Sequence, residues 1–371
     1  MNKKNIIVFR EKILLPSEGF IKTNYLAFDK IRPLFIANEI GWNVNNLGFD
    51  YVKICNNFIK KKIFKINGSL PLASQNILLS KSPKLIHAHF GKGGALMLPF
   101  ANKKNLPLYV TFHGADATKN KHFSKTSLRV FNRRRKDLIK YSRKFICVSE
   151  FIAKQLIKKG FPSEKIFLNY IGIEIKKKIQ TNYQRDKNKP LLFIGRLVEK
   201  KGVETLIKAI NSLKISGINN IKLNIIGEGP LENHLKKAAL NNKNISFLGW
   251  KNKKEIISFI KSSSALVVPS QVAKNGDSEG LPTVLLEGVN EEIPIIATNH
   301  AGIPELIKDS VSGFICEEAN YLSLAKKIKE FFAHQNLLSL TQIAKKKLIR
   351  DFDAHQQSQK LQNLFLNECQ D

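Results

Sequence analysis

The stretch PLLFIGRLVEKKGVETLIKAINSLK, residues 190–214, contains the strand, turn and helix that decide the fold. A short apolar run ends at Gly195 and an amphipathic segment begins after Gly202, as expected for a buried strand followed by a helix. The alternation continues downstream through the apolar runs IKLNIIG, ISFLG, ALVVPS and IPIIAT, with helical patterns between them. Such alternation predicts a parallel sheet covered by helices on both faces.

The first half of the chain repeats this alternation in the runs NIIVF, KLIHAHF, LYVTFHG and KFICVS. A polar stretch, residues 175–190, separates the halves and is typical of a linker. The sequence therefore predicts two doubly wound α/β domains, over 1–180 and 181–350, followed by a C-terminal helix over 351–371. Ligands of such sheets bind beyond the carboxyl ends of the strands, so two of them would form an interdomain cleft.

Composition places the chain among globular proteins, with 43% hydrophobic and 25% charged residues in 371. No apolar run approaches the roughly 20 residues that span a bilayer. The four cysteines show no C-x-x-C spacing, which argues against a disulfide framework or a zinc ribbon and favours a reducing, cytoplasmic compartment. They are Cys55, Cys147, Cys316 and Cys369.

The charge is concentrated in the first half. The formal net charge is +31, and residues 1–185, with 36 Lys and Arg against 10 Asp and Glu, carry +26 of it. A bias of the whole genome toward lysine would act on both halves alike. The basic half therefore predicts an anionic partner: a nucleic acid, an anionic membrane surface or a phosphate-bearing substrate.

Nucleotide-binding fingerprints are incomplete. The pattern G-x-G-x-x-G ends in Leu96 after Gly91 and Gly93, and in Glu232 after Gly227 and Gly229. The chain also has no phosphate-binding loop of the Walker type. These observations argue against a dehydrogenase and against a P-loop kinase.

Two cations follow the strand of the opening stretch. Arg196 stands at the carboxyl tip of the strand, and Lys201 stands just before the next helix. Guanidinium and ammonium groups beside a helix N-terminus suit a diphosphate. The alternative is a pair of solvated surface charges.

Two carboxylates flank a turn in GDSEGLPTVLLEG, residues 276–288. Glu279 precedes the turn, and Glu287 lies in the following helix, on the same face as Thr283. Pro282 is suited to the helix start, where free N–H groups can face an anion. Glu287 could bind a ribose diol and Glu279 sugar hydroxyls; helix-terminal or solvated acids are the alternative.

Histidines end the strands of the first half. In VTFHGAD, His113 could donate to a sugar hydroxyl and Asp116 could orient it or meet the acceptor; a histidine bonded to backbone is the alternative. In HAHF, His87 and His89 share one strand face. Together with His113 they could form a metal site, but core histidines are favoured because no cysteine or clear carboxylate accompanies them.

The motifs GRLVEKKGVETLIKAI, IIGEGPLE, FLGW, VVPS, GDSEGLPTVLLEG and TNHAGIPELI resemble the carboxyl half of retaining glycosyltransferases of family 4. LPSEGFI, HAHFG and TFHGAD, with the tail RDFDAHQQSQKLQNLF, resemble its colanic-acid and exopolysaccharide branch. The resemblance covers nearly the whole chain and implies the GT-B fold, in which two Rossmann-like domains face each other across a cleft. It also implies that the C-terminal helix packs back on the first domain.

The resemblance implies a role for each candidate residue. The second domain binds a nucleotide-sugar, most simply a UDP-sugar: Arg196 and Lys201 neutralise the leaving diphosphate, Glu287 holds the ribose and Glu279 the transferred hexose. His113 reaches the sugar from the first domain, which binds the acceptor. The turn that meets the donor comprises Gly280, Leu281, Pro282 and Thr283, and all of these except Pro282 offer a backbone N–H group.

The resemblance further implies retention of anomeric configuration and no need for a metal or a permanently bound cofactor. The implied pathway is cell-surface polysaccharide or lipopolysaccharide biosynthesis, with a saccharide or polyprenyl-diphosphate-linked acceptor. In the family the first loop closes over the donor phosphates. Here it reads Ser17, Glu18, Gly19, Phe20, where the branch has Ser-Glu-Thr-Phe.

A paired-carboxylate hydrolase is rejected because Glu287 lies a turn inside a helix rather than opposite Glu279 across a water-filled gap. Two basic segments, Lys60–Lys65 and Ser127–Lys144, could bind the inner face of the plasma membrane, with Leu128, Phe131 and Leu138 near one helical face. Packing of those residues on the sheet is the alternative. A nucleic-acid- or membrane-surface-binding protein on an inactive transferase-like scaffold is the second hypothesis for the whole chain; no aromatic stacking platform or recognition helix supports nucleic acid.

Overall fold

Two separate parallel sheets organise the chain. The computed structural model describes residues 3–13, 19–41, 48–119, 127–176 and 186–368, with the backbone alone for 127–129. Unit 1 comprises Met1–Glu174 and Asp353–Asp371, and unit 2 comprises Ile175–Phe352. The predicted first-loop residues Ser17 and Glu18, Cys369 and much of the predicted linker lie outside the described residues.

Unit 1 contains a sheet of seven parallel strands in the order β5-β3-β1-β6-β7-β8-β9. A short parallel pair, β2 with β4, lies beside it. The strands are β1 (Lys4–Phe9), β2 (Lys12–Ile13), β3 (Ile31–Ala37), β4 (Glu39–Ile40), β5 (Tyr51–Lys53), β6 (Ile86–His89), β7 (Leu108–Phe112), β8 (Lys144–Cys147) and β9 (Ile166–Leu168).

Helices connect these strands, because parallel neighbours require a crossover. They are α1 (Gly19–Thr23), α2 (Phe58–Asn67), α3 (Leu72–Leu79), α4 (Gly91–Lys103), α5 (Ala115–Thr118), α6 (Ser127–Tyr141) and α7 (Glu150–Lys158). The last helix, α14 (Ala354–Glu368), also belongs to this unit. Its Ser358 Oγ accepts a hydrogen bond from Ala27 N–H, and Phe365 is fully buried in the core of unit 1.

Unit 2 contains six parallel strands in the order β12-β11-β10-β13-β14-β15. They are β10 (Leu191–Ile194), β11 (Leu223–Ile226), β12 (Ile245–Phe247), β13 (Leu266–Val268), β14 (Ile295–Thr298) and β15 (Phe314–Cys316). The helices are α8 (Val203–Ile215), α9 (Glu232–Ala239), α10 (Lys253–Lys261), α11 (Thr283–Asn290), α12 (Tyr321–Ala333) and α13 (Leu337–Asp351). The core strands β10, β13 and β14 are buried at every position, as continuous apolar runs predict.

Both sheets confirm the predicted doubly wound α/β class. Each starts with its first strand at the centre, adds strands to one side, and then crosses to the other. The crossing point lies between β1 and β6 in unit 1, and between β10 and β13 in unit 2. Ligands of open α/β sheets bind beyond the carboxyl ends of the strands at this point. The fold therefore directs attention to the loops after β10 and β13, and after β6 and β7.

The structure corrects the expectation that α6 presents its apolar side to a membrane. Phe131 is 8% exposed and Leu138 is fully buried. Arg134 Nη1 donates to the Ala95 carbonyl of α4 at 2.7 Å. The apolar side of α6 therefore packs inside unit 1, which is the alternative that the sequence left open. No helix among the described residues is long and apolar enough to cross a membrane.

Candidate active site

The loops after β10 and β13 bring lysines and carboxylates together in unit 2. Lys201 Nζ lies 3.0 Å from Glu279 Oε1, and Lys200 Nζ lies 3.6 Å from the same atom. Lys200 Nζ also lies 3.2 Å from Asp277 Oδ1. The side chains are 12–20% exposed, so these ion pairs are screened less than surface pairs. Two residues predicted from separate motifs, Lys201 and Glu279, thus form one cluster.

Mutual attraction keeps this cluster ionised. Burial raises the pKa of the Glu279 carboxyl, but Lys201 and Lys200 outweigh burial and hold that pKa below its ordinary value. Burial opposes the charge on Lys200, but Glu279 and Asp277 outweigh it and raise the pKa of Lys200. These shifts favour the charged forms of Glu279 and Lys200, and lysines beside carboxylates suit both phosphate oxygens and sugar hydroxyls.

The backbone around Gly202 sets the position of both lysines. Glu199–Lys201 forms a single 3₁₀ turn that ends at Gly202, whose φ is +66°. A Cβ at Gly202 would stand 1.8 Å from the Pro269 carbonyl oxygen. Only glycine fits this close approach. The loop after β10 is thereby pressed against the loop after β13, which carries the carboxylates.

The turn Gly227–Gly229 also shows a close backbone approach. Gly227 has a φ of +131°, and a Cβ there would stand 1.9 Å from the Gly195 carbonyl oxygen. Leu197 N–H donates to the Glu228 carbonyl at 2.9 Å. Close backbone contact between two loops at the edge of the sheet therefore accounts for the glycine at position 227.

A buried histidine braces the Glu279 loop. His300 Nε2 accepts hydrogen bonds from the Glu279 main-chain N–H at 3.3 Å and from Ser278 Oγ at 2.9 Å. Its Nδ1 lies 2.7 Å from Glu318 Oε2. Because Nε2 is an acceptor, the neutral ring carries its proton on Nδ1 and donates it to Glu318. His300 is only 1% exposed, so this brace holds Glu279 from inside the unit.

Helix α11 follows the Glu279 loop directly. Pro282 precedes it, no side chain in the described part of the chain caps it, and the Gly280 carbonyl accepts from Gly302 N–H at 3.0 Å. Because the Leu285 N–H donates to the Pro282 carbonyl at 3.1 Å, the N–H groups that can face an anion at this helix start are those of Thr283 and Val284. Glu287, one turn after Thr283, makes no ion pair or hydrogen bond through its carboxylate to any residue that the structure describes. Burial raises the pKa of this carboxyl, and Lys253 opposes the shift.

Arg196 differs from the two lysines. It is exposed, and within the described part of the chain its guanidinium has no ion-pair partner. It follows the end of β10 by two residues, at the same edge of the sheet as the cluster. It therefore supplies a positive charge that is not neutralised by a neighbouring carboxylate.

In unit 1, His113 and Asp116 lie at the carboxyl end of β7. The Asp116 carboxylate accepts N–H bonds from Gly91 at 3.0 Å, His113 at 3.1 Å and Gly114 at 2.9 Å. Burial raises its pKa against these donors. Asp116 thus holds the main chain that carries His113 and does not contact the imidazole. The His113 ring contacts the tilted rings of Phe20 and Phe90, with centroids 5.0 and 4.5 Å away.

The sequence did not indicate four residues of the unit 2 site, nor the contacts of two histidines in unit 1. Lys200, Asp277, His300 and Glu318 are not among the predicted site residues. For His87 and His89 the sequence favours core or loop-anchoring positions, with a metal site as the alternative. Adjacent lysines in EKKG could have indicated Lys200, but the brace depends on contacts between distant loops. Among the described residues, no group of three or more His, Cys, Asp or Glu side chains is arranged to hold a metal ion.

Two family descriptions match the chain. "Glycosyl transferases group 1" matches residues 174–347, and "Glycosyltransferase Family 4" matches residues 45–177. A glycosyltransferase of Methanocaldococcus jannaschii, described as uncharacterized, is 35% identical over 71% of this chain and 69% of its own length. The amylovoran biosynthesis glycosyltransferase AmsK of Erwinia amylovora is 32% identical over 64% of this chain. The matched segment spans 58% of that relative's length.

Solved structures share the fold. The crystal structure of Anabaena HepE in complex with UDP superposes with a TM-score of 0.79 at 16% identity, covering 98% of this chain and all of the other. This similarity confirms the predicted GT-B fold. The clustered lysines, carboxylates and uncapped helix of unit 2 lie at the edge of the sheet where such folds bind ligands.

Proposed function

The chain belongs to the family 4 glycosyltransferases, and from that premise we propose that it transfers a hexose from a nucleotide-sugar, with retention of configuration, in the biosynthesis of a cell-surface polysaccharide. The observation that carries the proposal is the cluster of Lys200, Lys201 and Glu279 beside the uncapped start of α11. The name of the Erwinia relative supports the pathway, and the UDP of the Anabaena structure supports a UDP-sugar donor.

The cluster has the charges that departure of a nucleoside diphosphate requires. Negative charge grows on the diphosphate as the glycosidic bond breaks, and preorganised cations stabilise it most in that state. Lys201 and the exposed Arg196 supply this charge, together with the N–H groups of α11. Glu279 binds hydroxyls of the transferred sugar, and its ion pair with Lys201 explains how sugar and diphosphate sites can be adjacent. Glu287 accepts the ribose hydroxyls.

Donor binding without metal follows from the same charges. Lys200, Lys201 and Arg196 take the electrostatic place that a divalent cation has in metal-dependent transferases. Calorimetric titration with UDP-, GDP- and ADP-sugars in the presence of EDTA tests this. We expect one nucleotide class to bind, and Lys201→Ala to weaken it strongly. Lys208→Ala, which alters an exposed lysine of the same unit paired with Glu204, should bind as wild type. Absence of binding across the panel would contradict the proposal.

The acceptor side is proposed to contact an anionic membrane through α2. Ile59, Ile63 and Ile66 are 68%, 45% and 54% exposed, and their spacing puts them on one side of the helix. The exposed lysines Lys60 and Lys62 flank this stripe. An apolar stripe between cations fits the interface of an anionic bilayer, with isoleucines among acyl chains and ammonium groups at headgroups. We name this stripe the α2 face. It suits a polyprenyl-diphosphate-linked saccharide as acceptor.

Vesicle binding tests whether the α2 face, rather than the overall positive charge of the protein, contacts the membrane. The wild-type protein should co-sediment with vesicles of phosphatidylcholine and phosphatidylglycerol. It should not co-sediment with vesicles of phosphatidylcholine alone. Ile59→Glu with Ile63→Glu should abolish binding. Ile157→Glu, in α7 of the same unit and 46% exposed, is the matched control and should bind normally. Equal loss in both variants, or equal binding to neutral vesicles, would exclude the α2 face as the membrane contact.

A further inference from the structure

Five buried side chains of unit 1 form one continuous chain of hydrogen bonds that ends at His113. Thr111 Oγ1 lies 2.6 Å from His87 Nε2, and His87 Nδ1 lies 2.6 Å from the Tyr25 hydroxyl. The same hydroxyl lies 2.9 Å from His89 Nε2. His89 Nδ1 lies 3.1 Å from His113 Nε2. We call these residues the histidine relay.

The relay consists of neutral rings. Thr111, His87, Tyr25 and His89 are at most 1% exposed, and His113 is 9% exposed. Burial lowers the pKa of His87 to about 3 and holds the pKa values of His89 and His113 well below the ordinary range. A neutral imidazole carries one N–H and one bare nitrogen. Each histidine of the relay therefore donates on one side and accepts on the other.

Only two arrangements of protons satisfy every contact in the relay. The Tyr25 hydroxyl has a single proton and touches two histidines, so it donates to one and accepts from the other. In the outward arrangement, Thr111 donates to His87, His87 to Tyr25, Tyr25 to His89, and His89 to His113 Nε2. His113 then carries its proton on Nδ1. In the inward arrangement every donor is reversed, and His113 Nδ1 is bare.

The two arrangements leave different groups without a partner. Thr111 Oγ1 has no hydrogen-bond partner other than His87 among the described residues, and His113 Nδ1 has none there. The inward arrangement therefore leaves a buried hydroxyl proton on Thr111 as well as a bare His113 Nδ1. The outward arrangement leaves only the His113 Nδ1–H. Since each buried unpaired polar group is costly, the outward arrangement is favoured.

We propose that Thr111, His87, Tyr25 and His89 are positioning residues that hold His113 as its Nδ1–H tautomer and so make it a hydrogen-bond donor to a substrate oxygen. The proposal rests on the proposed transferase function and on the expectation from the sequence that His113 donates to a sugar hydroxyl. The His113 ring stacks on His89 and contacts the tilted rings of Phe20 and Phe90, and these contacts restrict its rotation. Phe90 itself has a φ of +67°, an uncommon conformation for a non-glycine residue. The relay therefore sets both the orientation and the proton of His113.

The tautomer can be measured directly on the unliganded protein. The chain has eight histidines, and nitrogen NMR of the histidine-labelled protein distinguishes protonated from bare ring nitrogens, with His113→Asn identifying the relevant signal. We expect the Nδ1–H tautomer of His113 in wild type and in Thr111→Ser, which keeps the hydroxyl. Thr111→Val removes it, so both arrangements then leave equal numbers of unpaired groups and a mixture of tautomers should appear. Tyr25→Phe, which interrupts the relay, should also give a mixture.

An Nε2–H tautomer in wild type, or a spectrum unchanged in both Thr111→Val and Tyr25→Phe, would overturn the proposal. Turnover supplies a second readout, as release of UDP from UDP-glucose. Thr111→Val should lower kcat about 2-fold with little change in KM, because about half of the molecules then lack the Nδ1–H donor. Thr111→Ser should restore it.

A double-mutant cycle separates failure of the relay from failure of the proposed function. The amide of His113→Asn offers an N–H near the position of Nδ1 regardless of tautomer. Thr111→Val should therefore have no further effect on kcat in that background. An equal loss in both backgrounds would show that Thr111 acts only through folding, and would overturn the relay. If the NMR result holds but His113→Ala leaves turnover unchanged, the relay stands and the role of His113 in the proposed function fails.

Discussion

The sheets of the two units add their strands in the same order, but the side chains at their carboxyl edges differ in charge. In unit 2 the candidate site consists of lysines and carboxylates 3.0–3.6 Å apart, ionised by mutual attraction. In unit 1 the histidine relay consists of neutral imidazoles and hydroxyls, and burial keeps the imidazoles uncharged. The same scaffold position therefore supports charge in one unit and directional neutral hydrogen bonding in the other.

The difference is that expected for the two halves of the proposed reaction. A leaving diphosphate gains negative charge, and preorganised cations stabilise that charge as it develops. Sugar hydroxyls stay neutral, and their recognition depends on which partner donates and which accepts. Unit 2 is therefore sensitive to the sign of a side chain, and unit 1 to the position of a proton.

Removal of charge in unit 2 should have the largest effect. Lys201→Ala removes the cation nearest Glu279 and should lower kcat/KM by about 100-fold or more, since a preorganised charge is lost where charge develops. Release of UDP from UDP-glucose is the measurement. Lys201→Arg keeps the charge with a different shape and should retain part of the activity.

The comparison between a charged site in unit 2 and a neutral site in unit 1 fails if the charge of Lys201 does not affect turnover. A Lys201→Ala variant that is folded by circular dichroism and turns over like wild type would exclude Lys201 from the site. Lys208→Ala is again the control for loss of one positive charge from unit 2.

Much of the fold was predictable because buried parallel strands have continuous apolar runs. The four buried residues of β10, Leu191–Ile194, stand out in any window of the sequence. Lys201 and Glu279 were identified from separate motifs, and folding places them 3.0 Å apart. Their adjacency to strand ends was visible in the sequence because the carboxyl ends of parallel strands meet at one edge.

The rest depends on contacts between distant segments. The relay joins Tyr25, after α1, to β6 and β7, and no periodicity indicates which side chains meet across a sheet edge. The apolar stripe of α6 has the same pattern whether it faces a sheet or a membrane, and the structure shows it packed inside. The exposed stripe of α2 has a similar pattern with the opposite outcome, because burial depends on tertiary packing.

Removal of the His300 hydrogen bond that holds the Glu279 loop should lower kcat/KM by an intermediate factor. His300→Leu removes the acceptor of the Glu279 N–H and leaves the loop without its fixed position. We expect kcat/KM to fall on the order of 10-fold, because one directional hydrogen bond is lost and a buried N–H is left unpaired. His300→Gln can still present an acceptor and should lose less. Equal losses in the two variants would indicate that ring packing, rather than the hydrogen bond, positions Glu279.

The smallest expected effect is on stability. The charged forms of Glu279 and Glu287 should change the free energy of unfolding in opposite directions at neutral pH. The pKa of Glu279 is lowered, so its stabilising contribution is present above the ordinary carboxyl pKa and is lost as the pH falls through the lowered value. The pKa of Glu287 is raised, so its contribution is present at low pH and is lost as the pH rises through the raised value. At neutral pH the first carboxylate stabilises the unliganded protein and the second does not.

Neutral substitutions should therefore shift Tm in opposite directions at pH 7. Glu279→Gln leaves Lys201 and Lys200 facing an uncharged partner and should lower Tm by about 2–4 °C, whereas Glu287→Gln removes a half-buried charge and should raise it by about 1–2 °C. Below the ordinary carboxyl pKa the gain in Glu287→Gln should vanish, because the wild-type carboxyl is then protonated. Glu287→Gln should nevertheless weaken donor binding a few-fold in calorimetry, since an ionised carboxylate is the stronger acceptor for a ribose diol. Shifts of Tm with the same sign in both variants would contradict this prediction. They would show that neighbouring cations stabilise the Glu287 carboxylate in α11 as well as the Glu279 carboxylate in the preceding loop.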